Sequence, residues 1–148
     1  MLKGLLAAAA LLPALPGVAA AGGASLFAEN CVACHQAGGI GTPGLAPPLV
    51  SETLKKAGSV QRDYVALVIM HGLSGPIKVK GQLFVSAMPP RGDFSDDDVA
   101  ALANYVEADL NGLTAEKFNP LAGGDVTLLR KTTVDHKTLR DMRSKFGE

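Results

Sequence analysis

Residues 31–35 read Cys31-Val32-Ala33-Cys34-His35 and contain both cysteines of the 148-residue chain. Cys31 and Cys34 are about one helical turn apart, so their two thiols can bond to one edge of the same flat molecule. C-x-x-C-H is the attachment motif of c-type haem, in which the histidine that follows the second cysteine binds the iron. The motif therefore predicts one haem c, covalently bound through Cys31 and Cys34, with His35 as an iron ligand.

Two other uses of a C-x-x-C sequence are possible in principle. A thioredoxin-like redox motif would need a preceding strand within a βαβ unit, and no such pattern is visible. A structural zinc site would need two further ligands close together, yet only His71 and His136 remain as histidines and no cysteine is left. Both alternatives fit the sequence less well than haem attachment.

The composition supports a bound apolar group. The chain has five Phe, two Tyr and no Trp, and much of its 47% hydrophobic content is alanine. A domain of this size with so few large side chains is marginal, because it buries too little apolar surface. A haem would supply the missing core. The formal net charge of zero offers no basic surface for nucleic acid, so we expect no nucleic-acid partner.

The first 21 residues have the order of parts of a secretory signal peptide. Lys3 precedes an apolar run that Pro13 ends, and Ala19-Ala20-Ala21 provides the small residues of a cleavage site. The apolar run is well short of the roughly 20 residues needed to cross a bilayer. We expect cleavage near Ala21, with Ala20 as an alternative, which predicts a periplasmic protein with no membrane span after cleavage.

Three segments of the compact part have helical patterns, which predicts an all-α fold. They are Ala24–Val32, Arg62–His71, and a helix that begins after Ser95 and ends before Gly112. The segments between them are rich in Gly and Pro and lack two-residue alternation, so loops are expected there rather than a sheet. The acidic run 96–98 is interpreted as surface charge at a helix N-terminus rather than as a metal site.

The second iron ligand is predicted to be Met88. It lies in Ser86-Ala87-Met88-Pro89-Pro90, where the prolines stiffen the loop that would hold the thioether. Met70 falls on the apolar face of a predicted helix, which favours core packing. His71 is the main rival ligand, although it could equally cap the helix that it ends.

These features together resemble the class I c-type cytochromes, in particular the small bacterial periplasmic ones that serve dehydrogenases and oxidases. The resemblance covers residues 23–110 and rests on three groups of residues: Gly23, Phe27, Leu102 and Tyr105; Met88-Pro89; and Ala46-Pro47-Pro48-Leu49. It implies a class I cytochrome c fold of three to five helices with long loops around one haem. It also implies that the first and last helices cross closely and that the Pro47 carbonyl accepts a hydrogen bond from His35.

The resulting hypothesis divides the chain into a signal peptide (1–21), a cytochrome c domain (22–112) and a basic extension (113–148). The domain would be a one-electron carrier, not an enzyme, with His35 and Met88 as axial ligands. It would shuttle electrons between a dehydrogenase or other oxidoreductase and an acceptor through transient contacts, as a monomer or as a subunit of a dehydrogenase complex. The alternative function is a peroxidatic haem enzyme whose distal ligand can be displaced.

The extension has no counterpart in the minimal fold that the resemblance implies. Residues 135–146 could form a basic amphipathic helix with Leu139, Met142 and Phe146 on one side. It could be a docking arm for a redox partner, or it could pack on its own domain or remain disordered. We favour the second interpretation, because chain termini are commonly held loosely.

Overall fold

The computed structural model describes residues 22–114 and 116–147, so the predicted signal peptide lies outside the described residues. The chain is mostly helical. The elements in chain order are α1 (Gly23–Asn30), α2 (Val32–His35), α3 (Glu52–Val60), α4 (Asp63–His71), β1 (Ile77–Val79), β2 (Gln82–Phe84), α5 (Asp96–Asn104), a π-helical continuation (Tyr105–Leu110), α6 (Gly123–Leu129) and α7 (His136–Ser144).

The crossing of α1 with α5 is the contact on which the compact unit is built. Phe27 is 2% exposed, and its ring centroid lies 5.4 Å from that of Tyr105. At Gly23 the backbones approach so closely that an added Cβ would overlap the carbonyl oxygen of Ala101. Leu102 of α5 is 1% exposed. The close helix contact that the family resemblance implies is therefore present, and glycine at position 23 is what permits it.

Helix α3 was not predicted. Its sequence is mostly polar and only short stretches of it are buried, so the apolar pattern that would indicate a helix is weak. The Ser51 side chain accepts a hydrogen bond from the Leu54 N–H at 3.2 Å and so caps the helix N-terminus. Leu54 and Ala57 are the apolar residues that it buries. With α3 included, residues 22–112 form five α-helices, which lies within the predicted range.

The expectation of loops without any sheet is wrong at residues 77–84. Strands β1 and β2 form an antiparallel hairpin in which Ile77 pairs with Phe84 and Val79 pairs with Gln82. The turn between them uses positive φ angles at Lys80 and Gly81. Val79 and Phe84 are buried. Each strand has only three residues, which is too short to show alternation in the sequence.

The extension packs on its own domain. Helix α6 lies against α5, and α7 lies against α4. Leu139, Met142 and Phe146 are all buried in the same core as the helices of the compact unit. The Arg130 guanidinium also pairs with Asp96 at 2.5 Å, and the hydrogen bonds from Arg130 and Thr127 lower the pKa of that carboxyl. One of the three acidic residues thus anchors α6 to the N-terminus of α5.

Candidate haem-binding site

A large apolar cavity opens between α1, α4, α5 and the loops on either side of the hairpin. It encloses about 1290 Å³ of space not filled by protein atoms, including its open mouth. Its wall contains the four residues predicted to hold the haem and the iron, namely Cys31, Cys34, His35 and Met88, together with Pro47. Most of the other lining residues are apolar, among them Phe27, Leu49, Leu54, Val65, Val68, Ile69, Leu73, Phe84, Leu102 and Val106.

The two cysteines lie where α1 ends and α2 begins. The Cys31 N–H donates to the Phe27 carbonyl at 2.9 Å, and Cys34 falls on the next turn. Both are free thiols; Cys31 is half-buried and Cys34 is exposed. Burial raises the pKa of the Cys31 thiol, an effect that the nearby Arg91 charge opposes. The helical spacing places both thiols at one edge of the cavity.

His35 is held by a backbone carbonyl. Its ring is 8% exposed, and Nδ1 lies 3.1 Å from the carbonyl oxygen of Pro47. A carbonyl can only accept, so this contact puts the proton on Nδ1 and leaves Nε2 as the nitrogen with a free lone pair. Burial lowers the pKa of His35, although the Pro47 carbonyl opposes the shift. A neutral, oriented imidazole of this kind is what a metal-binding histidine requires.

Met88 is positioned by paired backbone hydrogen bonds. The Met88 N–H donates to the Leu73 carbonyl at 2.8 Å, and the Leu73 N–H donates to the Met88 carbonyl at 3.1 Å. At Gly72, where φ is +72°, an added Cβ would lie 2.5 Å from the Met88 oxygen. The loop therefore approaches the end of α4 at a position that only glycine tolerates without strain.

The two rival ligands lie elsewhere. Met70 is 5% exposed and belongs to the hydrophobic core, and His71 is not among the residues that line the cavity. Nε2 of His71 is buried with no hydrogen-bond partner among the described residues. Met142 of α7 is buried in the same hydrophobic core. Within residues 22–114 and 116–147, Met88 is the only methionine in the cavity wall, which favours it as the distal ligand.

Five polar residues of the cavity wall were not predicted as site residues, namely Asn30, Tyr64, Ser86, Arg91 and Arg143. Arg91 Nη2 donates to Asn30 Oδ1 at 3.2 Å, and its guanidinium lies 4.1 Å from the centre of the Phe94 ring. Tyr64 reaches the cavity from α4, and Arg143 reaches it from α7. No local pattern could have revealed Arg143, because its position depends on how the extension folds back on the domain.

The cavity fits a haem c by the chemistry of its donors. Two thiols one helical turn apart, a neutral imidazole and a thioether converge on a space that is otherwise lined by apolar side chains. A soft thioether and an imidazole are known axial ligands of cytochrome c iron. No helix in the described part of the chain is long and apolar enough to cross a membrane.

Comparison with known proteins identifies similar chains. Residues 18–106 match the family model described as cytochrome c oxidase, cbb3-type, subunit III. The chain is 35% identical to cytochrome c-552 of Thermus thermophilus, with 88% of each chain covered. It is 36% identical to cytochrome c6 of Microcystis aeruginosa over 58% of this chain and 91% of the relative.

A third relative is larger. The cbb3-type cytochrome c oxidase subunit FixP of Bradyrhizobium diazoefficiens is 32% identical over 84% of this chain but only 41% of its own length. The match to the Thermus protein covers so much of this chain that it extends beyond residue 112 into the extension. Similarity is thus not confined to the part that surrounds the cavity.

Proposed function

The chain belongs to the class I monohaem c-type cytochromes and carries a covalent haem c, and we propose that it is a periplasmic one-electron carrier with His35 and Met88 as axial ligands. Its relatives are cytochromes by name, including cytochrome c-552 and cytochrome c6, and one-electron transfer is the chemistry that such a haem supports. The observation that supports the ligand assignment is that both residues line one cavity: the His35 ring is hydrogen-bonded to the Pro47 carbonyl, and the Met88 main chain is paired with Leu73.

When bound, the haem supplies one-electron chemistry through the Fe(III)/Fe(II) couple. Cys31 and Cys34 would attach it, and the Pro47 carbonyl would hold the His35 ring in one orientation and raise its basicity. The Leu73 pairing would keep the Met88 thioether at a constant position in both oxidation states. The Met88 thioether, a soft ligand, would favour the reduced state, and with both His35 and Met88 bound to it the iron would be closed to oxygen and peroxide.

The electron-transfer contact would form at the mouth of the cavity. Leu45 lines the cavity and is 48% exposed, and Val85 on the neighbouring loop is 65% exposed. The two loops are joined by a hydrogen bond from Ser86 Oγ to the Gly44 carbonyl at 3.2 Å. A small, partly apolar surface of this kind suits a transient redox partner. The FixP and CcoP relatives are subunits of cbb3-type oxidases, which supports a link to an oxidase.

The peroxidatic alternative receives no support from the cavity. Peroxide cleavage calls for a second histidine beside a cationic donor on the distal side, and His35 is the only histidine lining the cavity in the part of the chain that the structure describes. We therefore propose electron transfer alone.

The ligand assignment is tested with Met88→Ala and, as the matched control, Met70→Leu. Met88→Ala should abolish the weak long-wavelength band that marks methionine–iron ligation and should admit added cyanide, whereas Met70→Leu should do neither. An unchanged spectrum in Met88→Ala would contradict the assignment. Cys31→Ala and Cys34→Ala should impair covalent attachment, which pyridine haemochrome spectra of the purified proteins measure.

The location is tested on the full-length chain. Fractionation of expressing bacterial cells should recover the haem protein from the periplasm, and N-terminal sequencing should read from Gly22 if cleavage follows Ala21. A chain that retains Lys3 at its N-terminus would contradict the proposed cleavage.

A further inference from the structure

The segment that joins α4 to β1 forms part of the cavity wall and pairs with the backbone of Met88. Leu73, Gly75 and Ile77 line the cavity. The Leu73 N–H and carbonyl both bond to the Met88 main chain in an isolated antiparallel bridge. Next to such a bridge, the N–H and carbonyl of the following residue face the other side. The backbone groups of Ser74 therefore point away from the methionine loop and need partners of their own.

Those partners are two side chains of α7. The Ser74 N–H donates to His136 Nδ1 at 3.1 Å, and Arg140 Nη1 donates to the Ser74 carbonyl. Because Nδ1 accepts this hydrogen bond, it carries the lone pair of the imidazole. His136 and Arg140 are four residues apart, so they lie on the same side of the helix. One side of α7 thus binds both backbone groups of a single residue.

The Arg140 guanidinium also packs against the next residue of the segment. Gly75 has a φ angle of +95°, and an added Cβ would lie 2.6 Å from Arg140 Nη1 and 2.8 Å from Cζ. A side chain at position 75 would therefore overlap the guanidinium, and a positive φ angle also favours glycine there. The segment is in contact with α7 at two successive residues, directly after the residue that pairs with Met88.

Helix α7 is itself attached to the compact unit along its length. Its first turn is capped by the Asp135 side chain, which accepts a hydrogen bond from the Thr138 N–H at 2.7 Å. Leu139 in the middle of the helix is fully buried, and the helix lies against α4. After its last turn, the Phe146 ring contacts the Tyr64 ring edge-on, with the centroids 5.3 Å apart. The helix therefore provides a fixed support for the segment that it binds.

We propose that His136 and Arg140 are positioning residues for Met88, the proposed distal ligand. They hold the main chain of Ser74, and this keeps the adjoining Leu73 paired with the methionine loop. Neither side chain lines the cavity, so both act through the backbone rather than by touching the bound group. The inference rests on the proposed function, because it requires Met88 to bind the iron of a haem in this cavity. It gives the C-terminal extension the task of keeping the thioether in place.

The size of the effect follows from competition for the iron. An external ligand such as cyanide can bind only after Met88 has moved away, so its apparent affinity depends on how often the thioether is displaced. If displacement also releases the hydrogen bonds of Ser74, these bonds favour the methionine-bound state. Removing one of them should raise the apparent affinity for cyanide about threefold to tenfold, which is the change that one hydrogen bond produces.

The test titrates haem-loaded His136→Ala and Arg140→Met with cyanide and follows the loss of the weak methionine–iron band. Both variants should bind cyanide about threefold to tenfold more tightly than the unaltered protein. His136→Asn keeps an acceptor at the same number of bonds from the main chain, and Arg140→Lys keeps a charged donor. These two variants should therefore have cyanide affinities closer to that of the unaltered protein.

Two further variants are controls for changes elsewhere in the extension. Lys137→Met removes a positive charge at an exposed position of the same helix, where Lys137 pairs with Asp141 at 2.6 Å. Thr53→Val removes the hydrogen bond of 2.9 Å from the Thr53 hydroxyl to the Gly147 carbonyl, and so weakens the attachment of the far end of the extension. Neither substitution changes a hydrogen bond of Ser74, so both should leave the cyanide affinity close to that of the unaltered protein.

A second measurement needs no variant. If the hydrogen bonds of Ser74 favour the methionine-bound state, displacement of the methionine must weaken those bonds to the same extent. Hydrogen exchange of the Ser74 amide, followed by NMR in the unaltered haem-loaded protein, should therefore become about threefold to tenfold faster when cyanide is bound. The Leu139 amide, which donates to the Asp135 carbonyl within α7, is the internal control and should not change. This measurement decides the question if the alanine and methionine variants do not accumulate.

The inference is overturned if His136→Ala and Arg140→Met bind cyanide no more tightly than Thr53→Val, even where they unfold more easily, because both residues would then serve overall stability alone. It is equally overturned if bound cyanide leaves the exchange of the Ser74 amide unchanged. Failure of the proposed function would appear instead in the unaltered protein, as the absence of covalent haem or of the methionine–iron band.

Discussion

Glu107 is a buried carboxyl group whose ionisation should control how the stability of this protein depends on pH. It is fully buried, and neither carboxyl oxygen has a hydrogen-bond partner among the described residues. Its side chain packs against Gly58 of α3. Burial raises the pKa of Glu107 from 4.5 to about 8; the neighbouring Asp63 charge adds to the shift, and Arg62 opposes it.

The sign of the effect follows from proton binding. Between pH 4.5 and about 8 the folded protein holds a proton on Glu107 that the unfolded chain has released. The contribution of Glu107 to the free energy of unfolding is therefore fully present below pH 4.5 and is lost as the pH rises to the folded pKa, by about 1.4 kcal/mol per pH unit. At pH 7 this loss of unfolding free energy has reached about 3 kcal/mol.

Glu107→Gln removes this loss, because glutamine resembles the neutral acid and does not ionise. The variant should be more stable than the unaltered protein by under about 1 kcal/mol at pH 5 and by about 3 kcal/mol at pH 7. Guanidinium unfolding of the haem-loaded proteins, followed by circular dichroism at pH 5, 6, 7 and 8, measures the difference. Glu29→Gln, at an exposed position of α1, is the matched control. If the difference in unfolding free energy between Glu107→Gln and the unaltered protein stays constant from pH 5 to pH 8, the reasoning is refuted.

The remaining predictions concern close contacts. Gly23→Ala should lower the free energy of unfolding, measured by chemical denaturation, by about 1 to 3 kcal/mol, because the added methyl group overlaps the backbone of α5. Gly22→Ala is the control, since nothing lies within 4 Å of the added atom there, and it should lower the free energy of unfolding far less. Equal losses of unfolding free energy in the two variants would argue against the overlap. Gly72→Ala should weaken the methionine–iron band, because the methyl group would lie 2.5 Å from the backbone oxygen of Met88, the proposed axial ligand. Gly81→Ala has the same backbone strain but open space around the added atom, so it should leave that band intact. Asn111→Ala should destabilise the fold by about 2 to 4 kcal/mol in thermal unfolding, because that side chain makes three hydrogen bonds of 2.7 to 3.0 Å to backbone groups.

Local patterns in the sequence predict well what neighbouring residues do together. The cysteine spacing, the histidine beside it and the Ser95 cap of α5 all depend on residues within one or two helical turns. The helix from residue 63 to 71 was predicted to within one residue of its start. Features with a weak local signal were missed, namely the polar helix α3 and the hairpin of three-residue strands.

The choice between the two candidates for the second iron ligand could not be made from local sequence patterns. Met88 and His71 were both candidates, because each residue type can bind iron and each lies close to a predicted helix end. The choice between them depends on which side chain faces the cavity, and this is set by the backbone pairing of residue 88 with Leu73. No spacing rule connects these two positions, since they are brought together by the packing of α4 and the hairpin.

The sequence alone determined the haem chemistry of this protein, because the attachment motif is a short contiguous stretch whose geometry one helical turn dictates. It also determined the family through residues that occur in a recognisable order. The tertiary structure decided where the extension lies. Arg143 and Tyr64 are far apart in the chain, and they meet in the cavity wall because α7 packs against α4. Such a meeting follows from the burial of apolar faces over the whole domain, which no local pattern specifies.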